Sequence, residues 1–401
     1  MSNIAAIPMA PSDPIIGITE AFTVDRRPGK VNLGVGVYTD ESGKVPILKA
    51  VQAATDRLLL ERNACSYLPP QGAAAYAAGV QQLLFDTVDS TAASRVVTVQ
   101  SLGGTGALRL AAGLIAKANG ETVVAISSPT WENHRAVFQA EKLTVVEYPY
   151  YDAATGSVDV DSMCKYLAAL PAESVVVLHA CCHNPTGADP SPEQWDQIVD
   201  AIKKARHTAI VDMAYAGFAD GFFADVSLIR KFEKTGLPFI VAASFSKNLS
   251  LYGERIGALC IVTDNEESSR RVLSQTKAVI RSNYSNPPTF GATLAAQVIC
   301  DEELRASWLA ELEQMRGRIL SARSELSKRI RSIDETIDVS NFTRQRGMFT
   351  FTGLPLKVIM HLRSEYGIYM LDSGRMCVAA LNAANIDNVA NSVAASLKTV
   401  A

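Results

Sequence analysis

A series of short apolar runs limits what this chain can become. From about Lys49 to Arg316, helical stretches alternate with runs of β-branched and small residues: Val97–Gln100, Thr122–Ser127, Leu143–Glu147, Ser174–His179, Ala209–Asp212, Phe239–Ser244 and Ala258–Val262. Polar residues hardly alternate within them, which is the pattern of strands covered on both faces. Between Asp212 and Phe239, Val226–Lys234 has helical periodicity and roughly the length of a crossover between parallel neighbours. These features predict an α/β domain with a mostly parallel sheet. The remainder reads differently. Glu303–Arg331 is one long amphipathic stretch, and Gly347–Phe351 and Met376–Ala379 resemble strands of a smaller α+β unit. At 401 residues the chain exceeds one ordinary core and suits two. The expected division assigns residues 45–315 to a large domain. Residues 1–44 and 316–401 form an N-terminal arm plus a small domain, with Val31–Tyr38 joining the latter.

Composition narrows the function. The formal net charge is −3 and no block of Lys or Arg interrupts the mixture, which argues against nucleic acid or an anionic membrane as partner. No apolar run reaches the ~18 residues that a membrane helix needs. Met1–Pro14 has neither the basic start and apolar stretch of a secretory signal nor the Arg-rich pattern of a transit peptide. Seven cysteines, scattered from Cys65 to Cys377 without framework spacing, read as reduced, buried thiols of a cytoplasmic protein.

In α/β sheets ligands bind beyond the carboxyl ends of the strands, so the residues just after each apolar run are the informative ones. After Val97–Gln100 comes Ser101-Leu-Gly-Gly-Thr-Gly-Ala-Leu108, opening a helical pattern. Glycines there let backbone N–H groups approach a phosphate, favoured by the helix dipole. A dinucleotide fingerprint fails because Arg109 stands where its third glycine should, and the Gly-Lys-Ser/Thr of a P-loop is missing. A lysine met at random is a solvated surface charge. Lys247, however, follows a buried-looking strand, with Ser244 three residues before it and Arg255 eight after. Serine and arginine both offer donors to a phosphate, and a lysine beside a bound phosphate and an aldehyde cofactor would be a Schiff-base lysine. Asp212 closes another strand. It could merely cap the next turn. Alternatively it could pair with a pyridine nitrogen and keep that ring electron-withdrawing, with Tyr215 donating to the ring's phenolic oxygen. His179-Ala-Cys-Cys-His183 might hold a metal, but adjacent cysteines with no second ligand cluster lack structural-zinc spacing, so no metal is expected. Asn-Pro-Thr-Gly187 after it is turn chemistry that can aim Asn184 into a cleft.

The set Tyr67, Gly103-Gly-Thr-Gly106, Pro129-Thr-Trp-Glu-Asn-His134, His183-Asn-Pro-Thr-Gly187, Asp212-Met-Ala-Tyr215, Ser244-Phe-Ser-Lys247 and Gly253-Glu-Arg255 closely resembles aspartate and aromatic amino-acid aminotransferases. Order and spacing match from Asp13-Pro-Ile-Ile-Gly17 to Ser373-Gly-Arg375, nearly the whole chain. The resemblance implies a fold-type-I enzyme that uses pyridoxal 5'-phosphate. Its large cofactor domain has a mostly parallel seven-stranded sheet, and active sites are shared across a homodimer. It implies Lys247 as the Schiff-base lysine, Asp212 as partner of the pyridine nitrogen, and Tyr215 and Asn184 at the phenolic oxygen. Trp131 would stack on the ring. Gly104, Thr105, Ser244 and Arg255 would hold the phosphate, with Tyr67 reaching in from the neighbouring subunit. His134 and His179 would support Asp212, while His207 and His361 match nothing functional and are left as surface. Arg375 would grip the substrate α-carboxylate, Gly36 would approach the substrate through its backbone, and Arg281 of the other subunit would pair with a side-chain carboxylate. Without that context, both arginines would read as surface ion pairs.

The specificity signal is mixed. Tyr67-Leu-Pro-Pro70, Thr130-Trp-Glu-Asn133, Ser250-Leu-Tyr-Gly253 and Arg375-Met-Cys377 resemble aromatic-accepting members, whereas Val37, Thr105 and Asn286 resemble aspartate-selective ones. The expectation is a ping-pong transaminase of broad specificity for aspartate, glutamate and aromatic amino acids, with methionine as a further donor and 2-oxoglutarate or oxaloacetate as acceptor. An aspartate-selective enzyme, a decarboxylase or lyase on the same fold, and a non-catalytic binding protein are the alternatives.

Overall fold

The computed structural model describes residues 4, 6–9, 13–61, 66–85 and 93–400. The expected runs form one seven-stranded sheet of β1 (Val96–Leu102), β2 (Val123–Ser128), β3 (Thr144–Pro149), β4 (Val175–His179), β5 (Thr208–Met213), β6 (Phe239–Ser244) and β7 (Ile256–Val262). Their order across the sheet is β1-β7-β6-β5-β4-β2-β3. β7 runs antiparallel to both neighbours, and every other pair is parallel. Every residue of β4, β6 and β7 is buried, which is why those segments read as continuous apolar runs.

The crossovers follow from local chemistry. Helix Pro192–Lys204, between β4 and β5, starts at a reciprocal capping box in which Ser191 and Gln194 each bond the other's backbone. Lys203 and Lys204 complement the dipole in its last turn. Helix Ser227–Thr235 stops at Gly236, whose φ of 73° is the left-handed conformation that a side chain would resist. Helix Gly103–Ala118 lays Leu108, Ala111, Ala112 and Ile115 on the sheet, packed in one cluster with Val99, Ile126, Val177, Ile210 and Leu259. This helix begins within the glycines themselves, at Gly103, rather than after them.

The chain divides into two compact units. Residues 45–319 and 345–347 form the unit that carries the sheet. Residues 1–44, 320–344 and 348–401 form the other. In that second unit Val31–Asn32 pairs in parallel with Ile368–Tyr369, and Phe349–Phe351 pairs antiparallel with Arg375–Cys377. The boundary at 319/320 falls inside the long helix Glu302–Ile333. No helix among the described residues is long and apolar enough to cross a membrane.

Three expectations need correction. His207 is not a surface residue: it is 4% exposed, with Nε2 2.8 Å from the Leu167 carbonyl oxygen. His361 is half-buried and bonds Ser396 Oγ through Nδ1. The thiols are not uniformly buried either, since Cys300 is exposed and Cys164 intermediate; Cys65 lies outside the described residues.

Candidate active site

Parallel strands deliver their carboxyl ends to one edge of the sheet, and there a cavity of about 240 Å³ opens. Its lining brings together ten of the expected residues: Gly104, Thr105, Trp131, His179, Asn184, Asp212, Tyr215, Ser244, Lys247 and Arg255. Leu108, Ala214, Ser246 and Tyr252 line it as well; each lies inside one of the motifs quoted from the sequence, but none was given a role there.

One end of the cavity is built for an anion. Helix Gly103–Ala118 has no side-chain cap and no acidic residue in its first turn, so the N–H groups of Gly104 and Thr105 remain available. Gly103 has φ +67°, and a Cβ on it would lie 2.5 Å from Arg255 Nη2. A Cβ on Gly257 would come within 2.4 Å of the Gly103 carbonyl carbon. The chain folds this tightly only with glycine at both places. The Gly103 N–H donates to the Arg255 carbonyl at 2.9 Å, tying the turn to the start of β7. Arg255 Nη1 donates to Ser246 Oγ at 3.2 Å and to the Tyr252 carbonyl at 2.9 Å. Backbone N–H groups, the hydroxyls of Thr105, Ser244 and Ser246, and a guanidinium make a donor set with no carboxylate among them, which fits a phosphate dianion.

The other end carries the titratable groups. Lys247 Nζ lies 4.9 Å from the centroid of the Tyr215 ring. Asp212 and His179 are register partners at the ends of β5 and β4. The Asn184 N–H donates to His179 Nδ1 at 3.5 Å, so a neutral His179 carries its proton on Nε2, 3.3 Å from Thr130 Oγ1. The Thr130 hydroxyl is then oriented toward His134 Nδ1 at 2.8 Å, leaving His134 Nε2–H for Asp212 Oδ2 at 3.0 Å. Burial above all lowers the His179 pKa to about 3, which keeps the ring neutral. Burial pushes the Asp212 carboxyl up, but the bond and further electrostatic attraction of His134, followed by His179 and Lys247, outweigh it and hold Asp212 below the usual carboxylate range. A buried, ionised carboxylate facing the cavity is the partner a protonated ring nitrogen requires. The structure therefore fits pyridoxal phosphate at both ends. Trp131 closes the cavity and packs edge-on against His134, with ring centroids 5.3 Å apart.

His183 belongs to a separate network, bonded to Ser127 Oγ and Thr186 Oγ1 and stacked on Tyr150 with ring centroids 3.9 Å apart. The Cys181 and Cys182 sulfurs and an Asp225 oxygen lie within 4.8 Å of one another. Both Asp225 oxygens already accept backbone N–H bonds, from Gly217, Ala219 and Asp220.

Five expected residues are not part of this lining. His134 stands behind it, bonded to Asp212. Tyr67 is 92% exposed. Arg281 is exposed in the last turn of helix Glu266–Asn283, where it donates to Ser285 Oγ. Gly36 and Arg375 belong to the second unit, where Arg375 is 1% exposed and donates to the Gly34 carbonyl at 2.8 Å.

Residues 28–393 match the family model for aminotransferases of class I and II. Among curated relatives, aspartate aminotransferase of Pseudomonas aeruginosa is 49% identical over 98% of this chain and 99% of its own length. Aromatic-amino-acid aminotransferase of Escherichia coli is 45% identical over 96% of this chain and 97% of its own. Among solved structures, the aromatic-amino-acid aminotransferase of Burkholderia pseudomallei, covalently bound to pyridoxal phosphate, superposes with a TM-score of 0.96 at 49% identity, covering 99% of this chain and 100% of that one. An α/β sheet with an anion cradle, a lysine and an ionised aspartate at its carboxyl edge is thus matched along nearly its whole length, and the chain belongs to the class I and II aminotransferase family.

Proposed function

We propose that this aminotransferase moves amino groups between L-amino acids and 2-oxo acids with pyridoxal phosphate on Lys247, and that it accepts aspartate, glutamate and aromatic amino acids. Methionine is a further donor in this reading, and 2-oxoglutarate and oxaloacetate are the acceptors. The observation that carries it is the convergence of Lys247, ionised Asp212 and the glycine-turn cradle on one cavity. When bound, the cofactor supplies an aldehyde that exchanges amines and a ring that withdraws electrons from the substrate.

The chain's own residues do the rest. Gly104, Thr105, Ser244 and Arg255 hold the phosphate, with Ser246 steadying Arg255. Asp212, kept ionised by His134 with His179 behind it, holds a proton on the ring nitrogen. Tyr215 and Asn184 donate to the phenolic oxygen, and Trp131 covers the ring face. Once the substrate amine has replaced it on the cofactor, the freed Lys247 amine would take the proton from the substrate Cα and hold it at Nζ for return. Arg375 binds the α-carboxylate as a planar fork, with Gly36 beside it. Tyr67 and Arg281, both exposed, reach the cavity of a partner subunit in a homodimer, Tyr67 to the phosphate and Arg281 to a substrate side-chain carboxylate. The paired functions of the relatives, aspartate in one and aromatic amino acids in another at similar identity, support breadth. Free thiols at every described cysteine support a cytoplasmic location.

Lys247→Ala tests the core of this reading: the purified variant is expected to lose the near-visible absorbance band of the bound cofactor, and retention of that band would remove Lys247 from its role. Initial rates for a panel of amino acids with 2-oxoglutarate test breadth. Aromatic turnover below roughly a thousandth of aspartate's, ~4 kcal/mol of barrier, would reduce the enzyme to an aspartate-selective one.

A further inference from the structure

Among the described residues, the proposed reaction leaves one fully buried arginine unused. Arg323, in helix Glu302–Ile333, is 1% exposed. Its Nη1 donates to the Phe342 carbonyl at 3.0 Å and to Thr350 Oγ1 at 2.6 Å, and its Nη2 donates to the Phe349 carbonyl. All of these groups belong to the same unit as Arg375.

Phe349 and Thr350 lie on the three-residue strand Phe349–Phe351, whose antiparallel partner carries Arg375. Phe349 pairs with Cys377 and Phe351 with Arg375, so the Phe349 side chain and the Arg375 guanidinium are diagonal neighbours on one face. The guanidinium carbon stands 4.4 Å from the centroid of the Phe349 ring. The tip of that ring abuts Gly36, where an added Cβ would come within 2.6 Å of Phe349 Cζ. Thr350 points to the opposite face, toward Arg323. A ladder this short fixes its own position poorly. The rigid planar fork of Arg323 bonds two consecutive residues of the strand and a carbonyl before it, which a flexible ammonium could not do.

We infer that Phe349 and Arg323 are positioning residues for substrate-carboxylate binding: Arg323 locks the strand, and the Phe349 ring holds the Arg375 guanidinium against Gly36. The inference rests on the reading of Arg375 as the carboxylate-binding arginine. The probe is 3-indolepropionate, whose single carboxylate leaves Arg281 aside, titrated calorimetrically into holoenzyme. Phe349→Leu and Arg323→Lys are each expected to weaken binding by about tenfold or more, because small misplacements of a positioned group carry effects of that size. They should raise KM for aspartate and phenylalanine alike, while kcat changes by less than about threefold. A folded Phe349→Leu enzyme of wild-type affinity overturns the inference, as does a variant that melts earlier yet binds normally. Should Arg323→Lys fail to fold, Phe349→Leu decides. Arg375→Lys separates the two levels. If it alone loses affinity, only this inference falls; if it binds normally, the reading of Arg375 falls with it.

Discussion

In the proposed reading Arg281 bears on specificity more than any other single residue, because its charge would have a partner with some substrates and none with others. With aspartate its guanidinium would meet a carboxylate bidentately; with phenylalanine it must turn away. Arg281→Ala is therefore expected to lower kcat/KM for aspartate by about a hundredfold or more, while phenylalanine changes by less than about tenfold. Equal losses, measured as initial rates with 2-oxoglutarate, would show that Arg281 does not read the side chain. That Lys247 and Asp212 line the cavity was legible in the sequence because one follows and the other closes a run that reads as a buried strand, and a charge in that position requires a reason. Thr130 was not legible, although it joins His179 to His134, since a hydroxyl among Pro129 and Trp131 looks like turn chemistry. His207 looked like surface because nothing in Arg206-His-Thr208 reveals that the Leu167 carbonyl, forty residues earlier in the chain, receives its N–H.

At the scale of elements, the cradle depends on how closely β7 approaches the start of helix Gly103–Ala118. A Cβ on Gly257 would face the Gly103 carbonyl carbon at 2.4 Å and its oxygen at 2.5 Å, and two backbones cannot separate as a flexible side chain would. Gly257→Ala is thus expected to cost roughly 1–3 kcal/mol by overpacking. By displacing the turn that offers N–H groups to the phosphate, it should also weaken cofactor retention by about tenfold. Gly253→Ala is the matched control, since nothing lies within 4 Å of its added Cβ. Melting temperatures and equilibrium titration with the cofactor check both; equal behaviour of the two variants would mean that the close approach is dispensable. The seven strands were legible from the same burial that makes this contact tight. The start of the helix was not, because glycines read as a loop until the structure shows them forming the first turn.

Across the whole molecule, buried histidines and buried carboxylates oppose each other as the pH falls. His179 is held near 3 and His183 well below its ordinary value of 6.5, both by burial first, so below pH 6.5 the unfolded chain binds protons that the folded one refuses. Stability is therefore lost as the pH falls through that range. Asp189 and Asp225 act in the other direction. Burial raises each from 3.8 to about 6, so the folded chain takes up protons first and gains stability as the pH falls from 6 to 3.8. Between pH 6 and 5 two protons bound by the unfolded state are matched by two bound by the folded state, and these four groups together leave the slope of stability against pH close to zero; below about 5 Glu147, Glu193, Glu313 and Glu325, each held below its ordinary value by a hydrogen bond, add a loss. Below pH 3.8 Asp189 and Asp225 contribute nothing more, while the histidines continue to destabilise. Asp212 joins them there: its depressed pKa supplies stability above 3.8 that disappears on protonation. Urea unfolding followed from pH 7.5 down to 3.5 is expected to show a plateau between about 6 and 5 and a steepening loss below it. A decline that begins at pH 6.5 and continues without a plateau would mean that Asp189 and Asp225 ionise in the folded enzyme as readily as they do in water.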